Sequence, residues 1–282
     1  MAFNLRQGIY LAALLHDIGK FWQRGVPSKK VLSSNTLNMR ESICPTNKHN
    51  RPTHIHALFT SEFFETFSKI FPGEIDHEDE KIQLGNLSAR HHKYNLNEYE
   101  KIIKFADRLS SGHDRREDTD EDQQSSSYQY KKIPLLNPFD VIYETRKAEN
   151  RSYFPFTPLD TNDSIFAQCN VDITQSREED YKKQWEKFIA EIEQLPTGSF
   201  NALSHSLQSL LRKYTWCIPS STNDLPDVSL YDHLKTTAAI ATCLYDSQQI
   251  EKFGPLPVFD QLKQEDKERF MLLAGDFSGI QK

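Results

Sequence analysis

Ile9, Leu11, Ala12, Leu14 and Leu15 recur at the spacing of a helix with one buried face, and the run ends abruptly in His16, Asp17, Gly19 and Lys20. The pattern predicts a helix through residues 1–24 that carries these polar groups, with Phe21 and Trp22 as core or rim aromatics. Residues 25–52 are rich in Ser, Asn, Pro and Lys, have no period and read as a long loop. Helical periodicity returns at 54–67, where Ala57, Phe59, Phe63, Phe64 and Phe67 share a face, and residues 73–83 follow as an acidic, exposed stretch with a solvated His77. Residues 84–94 form a helical segment ending in His91-His92. Residues 102–112 form an apolar helix that carries Asp107 and stops at Ser-Ser-Gly.

Residues 115–127 are charged and low in complexity, a linker or disordered loop. Prolines among aromatic and β-branched residues at 128–164 suggest short extended segments. Two more amphipathic helices follow. Residues 178–195 have Tyr181, Trp185, Phe188, Ile189 and Ile192 on one face, and residues 200–216 have Leu203, Leu207, Leu210 and Leu211, with His205 on the surface. A turn at 218–223 leads to a helix over 227–245, rich in small residues, that carries His233 one turn in. Residues 270–282 read as a buried strand entering a glycine turn, and the chain stops in mid-element, as a fragment would.

A chain of 282 residues with 37% apolar and 26% charged residues is globular in composition, and a net charge of −6 gives no global attraction to nucleic acid. The four cysteines are scattered, which argues against a thiolate zinc site and for reduced thiols in the cytoplasm. No apolar run is long enough to span a membrane, and the run at 9–15 lacks a signal-peptide cleavage site.

The candidate chemistry lies in His16-Asp17, His56, His91-His92, Asp107 and His233. An Asp inside an apolar helix needs a partner, and a cation is one. Two divalent ions about 3.5–4 Å apart need a bridging carboxylate and two or three further ligands each, in order to activate water. Asp17 is the natural bridge. His16, Asp107 and His233 are assigned to one ion, and His56, His91 and His92 to the other. At the start of its helix, His56 is favoured over His54, which equally suits a cap or the surface. Imidazole-rich, thiolate-free ligation suits Mn, Ni or Co, with Fe or Zn as further choices. Lys20 either steadies a scissile phosphate or is solvated. No Ser-His-Asp or Cys-His arrangement and no phosphate-cradling glycine loop competes with this reading.

The His-Asp motif resembles that of HD-type metal phosphohydrolases, whose conventional order is H…HD…H…HH…D. Here the first His lies in Tyr231-Asp-His233-Leu-Lys-Thr-Thr-Ala, at the far end of the chain, so the site is circularly permuted. Together with Ala106-Asp-Arg-Leu-Ser-Ser-Gly112, Ile218-Pro-Ser-Ser-Thr-Asn223 and Asp276-Phe-Ser-Gly-Ile-Gln281, this resembles the large subunit of type III-A CRISPR effector complexes. The resemblance implies a mainly α fold: a permuted HD helical bundle with a mixed insertion, ending in the first strand of a truncated ferredoxin-like palm domain. The expected divisions are an HD domain at 1–114, a linker at 115–127, an insertion at 128–217, a completing helix at 218–250 and the palm start at 251–282. The implied function is metal-dependent cutting of single-stranded DNA, with guide RNA and other type III subunits as partners and no membrane. The alternatives are a scaffold module with a dispensable site and a nucleotide phosphohydrolase. The family's Gly-Gly-Asp-Asp oligoadenylate-synthase motif is absent from these residues. Two features depart from the family: the long 25–52 stretch, and Thr60-Ser61 where relatives carry a Gly-His pair.

Overall fold

The computed structural model describes residues 3–26, 31–111, 129–142, 150–222, 225–249 and 271–273. The expected linker at 115–127 and nearly all of the expected palm start therefore lie outside the described residues. The fold is mainly helical, and its one hydrogen-bonded ladder among the described residues is a two-stranded hairpin.

The first helix, α1 (Leu5–Leu15), opens with a capping box: Asn4 accepts from the Gln7 amide, and the Gln7 side chain accepts from the Asn4 amide. Its apolar run is wholly buried. The single helix expected over 1–24 is instead two, because the chain turns at His16-Asp17 before α2 (Ile18–Gly25). That turn lets the imidazole and the carboxylate converge, which consecutive positions of one straight helix, about 100° apart, would oppose. Gly19 permits the next contact. A Cβ there would lie 2.0 Å from the His56 carbonyl oxygen, so α2 can cross the next long helix only with glycine at this position.

The 25–52 stretch is not wholly loop. It holds α3 (Ser34–Asn38), capped by Ser33, and α4 (Arg40–Ile43). These helices are too short to show a period, and their anchoring is tertiary: for α3, Ser33 and Thr36 donate to Glu62 and Glu65 of α5 (His56–Thr66), and for α4, Arg90 and Lys93 donate to the carbonyls of Ser42 and Glu41. The acidic 73–83 stretch is also structured, as an antiparallel hairpin of β1 (Glu74–His77) and β2 (Glu80–Gln83). In it Ile75 pairs with Ile82 and both are buried, while the charged neighbours face out. Next come α6 (Leu84–Ala89), a single 3₁₀ turn at Arg90–His92, and α7 (Glu98–Ser111).

Residues 129–142 and 150–177 contain one short α-helix, α8 (Pro138–Ile142), two 3₁₀ turns at Gln129–Lys131 and Asp163–Ile165, and isolated bridges such as Leu136–Tyr153 rather than strands. The amphipathic helices α9 (Glu178–Ile192) and α10 (Phe200–Thr215) follow as the periodicity predicts. They share the core of the N-terminal helices. Trp185 stacks on Trp22 with centroids 5.0 Å apart, and Phe188 meets Phe21 and Phe63. The last helix, α11 (Leu230–Gln248), is capped by Ser229 and packs along α1 and α7. Arg6 of α1 makes a two-pronged ion pair with Asp246 of α11, both contacts at 2.7 Å. The far end of the sequence thus completes the bundle begun at its start.

Candidate metal centre

Five separate elements bring the seven predicted ligands together. His16 and Asp17 come from the α1–α2 turn, His56 from the first position of α5, His91 and His92 from the 3₁₀ turn, Asp107 from α7 and His233 from α11. They fall into two sets that share Asp17: His16, Asp17, Asp107 and His233, and Asp17, His56, His91 and His92. Within each set the donor atoms lie within 4.8 Å of one another.

In the first set, His16 Nε2 lies 3.2 Å from His233 Nε2, 3.4 Å from Asp17 Oδ2 and 3.5 Å from Asp107 Oδ1. His233 Nε2 lies 3.2 Å from Asp107 Oδ1 and 3.5 Å from Asp17 Oδ2. In the second, His56 Nε2 lies 3.2 Å from the other oxygen of Asp17 and 3.0 Å from His92 Nε2, and His91 Nε2 is 3.8 Å from Asp17 Oδ1.

The outer ring nitrogens explain why the inner ones aim inward. His16 Nδ1 donates to the Ala13 carbonyl at 2.7 Å, and His91 Nδ1 donates to the Ser88 carbonyl at 2.8 Å. A carbonyl accepts only, so each neutral ring carries its lone pair on Nε2, facing the shared carboxylate. The outer nitrogen of His233 meets the Ser110 hydroxyl instead, at 3.1 Å, and that hydroxyl also lies 3.2 Å from the His233 carbonyl. When it donates to the carbonyl, its oxygen accepts from Nδ1 and the inner Nε2 is a ligand. Thr60 adds support by donating to the His16 carbonyl at 2.9 Å and accepting from the Gly19 amide at 3.2 Å. The sequence pointed to Thr60 only as part of the departure at Thr60-Ser61, and to Ser110 and Ser88 not at all beyond a Ser three residues after Asp107.

Both Asp17 oxygens and His91 Nε2 are buried and accept no hydrogen bond, although the Lys20 ammonium stands 2.6 Å from Asp17 Oδ2. Such a gathering of buried carboxylates and lone pairs is costly unless cations share it. The donor set, imidazole and carboxylate without thiolate, fits divalent metal ions. The electrostatics agree. Burial alone would push the Asp17 carboxyl up, but Lys20 and His16 hold it well below the usual carboxylate range. Burial pulls His16 down, yet Asp17 and Asp107 raise it to about 9. The second set behaves oppositely. Burial and the charge of His16 lower His91 to about 3, burial and the neighbouring imidazoles hold His92 well below its ordinary value, and burial lowers His56.

Among the remaining candidates, Lys20 also donates to the Ser220 carbonyl at 3.0 Å, so it is engaged rather than simply solvated. His54, read as a cap or surface group, lies against His92 with ring centroids 4.0 Å apart. His77 sits at the end of β1 beside Tyr99, and His205 lines a groove with Glu191 and Lys213, and neither belongs to the two sets.

Residues 3–112 match the HD domain model. Over 99% of its length the chain is 32% identical to a Methanocaldococcus jannaschii protein named CRISPR system single-strand-specific deoxyribonuclease Cas10/Csm1 (subtype III-A). The chain is thus similar along nearly all of its length to the HD-containing part of Cas10/Csm1 proteins. A protein of the same name from Enterococcus italicus is 26% identical over 99% of the chain. The chain spans about a third of the length of these curated Cas10/Csm1 relatives, 34% in both cases. The crystal structure of Csm1 from T. onnurineus, at 20% identity and a TM-score of 0.50, covers 86% of the chain and 29% of that protein, and it shares the fold. No helix among the described residues is long and apolar enough to cross a membrane.

Proposed function

We propose that this chain is the nuclease module of a type III-A CRISPR effector: it holds two divalent ions and hydrolyses single-stranded DNA. The observation that carries this is the convergence of six buried or half-buried imidazole and carboxylate groups on one shared carboxylate, Asp17. His16, Asp17, Asp107 and His233 would hold one ion, and Asp17, His56, His91 and His92 the other, with Mn, Ni or Co as the best match to the donors and Fe or Zn as further choices. When bound, such ions supply Lewis acidity and a reactive water at neutral pH. The chain's own residues do the rest. Asp17 joins the halves, the three outer hydrogen bonds fix the imidazoles, and Lys20, beside Asp17 and partly exposed, is placed to meet the scissile phosphate.

The single-strand preference and the type III-A setting are drawn from what the Cas10/Csm1 relatives are named for; assembly with guide RNA and other type III subunits is part of the same proposal and rests on the resemblance. A scaffold whose site is dispensable, or a mononucleotide phosphohydrolase, would leave different traces. The test is cleavage of labelled oligodeoxynucleotides with each divalent metal, beside a panel of mononucleotides. Asp17→Ala is expected to lose both ions and to cut about 10³-fold more slowly, which corresponds to the several kcal/mol that bound metal supplies. Unchanged cutting by that variant, with contaminating nuclease removed, would refute the proposal. Hydrolysis confined to mononucleotides would favour the phosphohydrolase.

A further inference from the structure

The two halves of the centre differ in access. His16, Asp17, Asp107 and His233 are all buried, whereas His56 and His92 are partly exposed. Among the described residues, the ligands reachable from outside are those on the His56–His92 side, with the partly exposed Lys20 beside Asp17, so the groups bordering that side meet an entering strand first.

Two of them are aromatic and unexplained by the fold. His54 is exposed, and its ring lies 4.0 Å from the His92 ring at 35°, with the His56 ring 5.9 Å away. It adopts a left-handed backbone, φ 54°, which non-glycine residues rarely adopt and which gathers at functional sites. Tyr94 is 79% exposed, more than any other aromatic residue among the described ones. It follows His92 by two residues, so its Cα lies within about 7 Å of that residue's Cα. Neither position is slack. The Lys104 ammonium stands 5.3 Å from the centre of the Tyr94 ring and donates to the Lys93 carbonyl at 2.7 Å. Lys93 donates to the carbonyls of Glu41 and Cys44, and the Cys44 thiol meets the His54 carbonyl at 3.9 Å. One network therefore holds both aromatic residues and two ammonium groups beside the open half.

We propose that His54 and Tyr94 form a stacking platform on which the bases of a single strand rest as its backbone enters the centre, with Lys93 and Lys104 adding positive charge beside it. This rests on the nuclease reading above and deepens it. Every base has a π-face, so such a platform tolerates any sequence. A duplex keeps its bases stacked on each other and cannot offer them. With a net charge of −6 there is no broad electrostatic capture, and contacts at this rim carry the discrimination.

The experiment measures binding of a fluorescent oligothymidylate in EDTA by anisotropy, together with cleavage kinetics and calorimetric metal stoichiometry, for the whole chain and for Tyr94→Ala, Tyr94→Phe and His54→Ala. Each alanine variant is expected to bind about tenfold more weakly. Its KM should rise to match, while kcat and the metal stoichiometry stay as in the parent. Tyr94→Phe should behave like the parent, and an oligomer with abasic sites should bind parent and alanine variants alike. Equal affinity of parent and alanine variants for oligothymidylate would overturn the platform. So would an equal loss on the abasic oligomer, or loss of a metal ion in His54→Ala. If the parent binds as expected but cuts no oligonucleotide with any divalent metal, the nuclease reading fails while the platform stands.

Discussion

The two halves of the metal centre share a carboxylate and little else. The half built from His16, Asp107 and His233 is sealed, and it carries two carboxylates among its four ligands. The half built from His56, His91 and His92 has one carboxylate, three imidazoles and an open side. In the first half, negative charge raises an imidazole until a proton serves as its cation. In the second, burial and imidazole crowding keep the rings neutral and ready. The lesson is one of division: the sealed half is suited to hold its ion, and the open half to meet substrate.

The largest effect expected from breaking this division is on stoichiometry. His233→Ala should reduce bound metal from two ions to one and leave the second half loaded, although residue 233 lies 217 positions from His16. His92→Ala should do the converse, and calorimetry on both variants would expose any half that cannot fill alone.

A second test uses pH. Metal takes the neutral imidazole, and His16 stays protonated up to about 9, so filling the sealed half at pH 7 should release about one proton. Its apparent affinity should climb about tenfold per pH unit and level off near 9, because each unit removes a tenfold protonic competitor. The open half, where His91 has been lowered to about 3 and His56 and His92 are lowered too, should release none near neutrality. Titration in buffers of different ionisation enthalpy reads the protons directly, and equal release from both halves would erase the distinction.

A smaller and sharper effect is expected at Ser110. The tautomers of His16 and His91 are set by carbonyls, but that of His233 depends on a hydroxyl able to donate or accept. Ser110→Ala should weaken the sealed half by about tenfold to a hundredfold, the usual cost of losing an outer hydrogen bond to a metal-bound imidazole, and leave the open half alone. Ser110→Thr should restore it. Nitrogen-15 spectra of the His233 ring would report the tautomer independently of activity.

Much of this centre was legible before folding was considered. A carboxylate inside an apolar helix and paired histidines after one are expensive patterns, and their expense announces a partner. Periodicity likewise placed α5, α7, α9, α10 and α11 to within a few residues, because long apolar stripes have few alternatives. The misreadings share a cause. The break at His16-Asp17 leaves the apolar pattern unbroken and is visible only through what the turn achieves. The 74–83 hairpin buries just Ile75 and Ile82, too few to reveal a period of two among so many charges. The short helix α3 is held by Glu62 and Glu65, and α4 by Arg90 and Lys93, residues some thirty to fifty positions away that no local pattern connects to them.

The sequence by itself singled out the seven candidate side chains that the fold gathers into two sets around Asp17, because ligand chemistry resides in residue type and each type was costly where it stood. The tertiary structure alone decided that one set is sealed and the other open, that hydroxyls and carbonyls orient the rings, and that Trp185 and Phe188 share a core with Phe21. Burial and hydrogen-bond direction are relations between distant segments, and they exist only once α11 has come back to lie along α1 and α7.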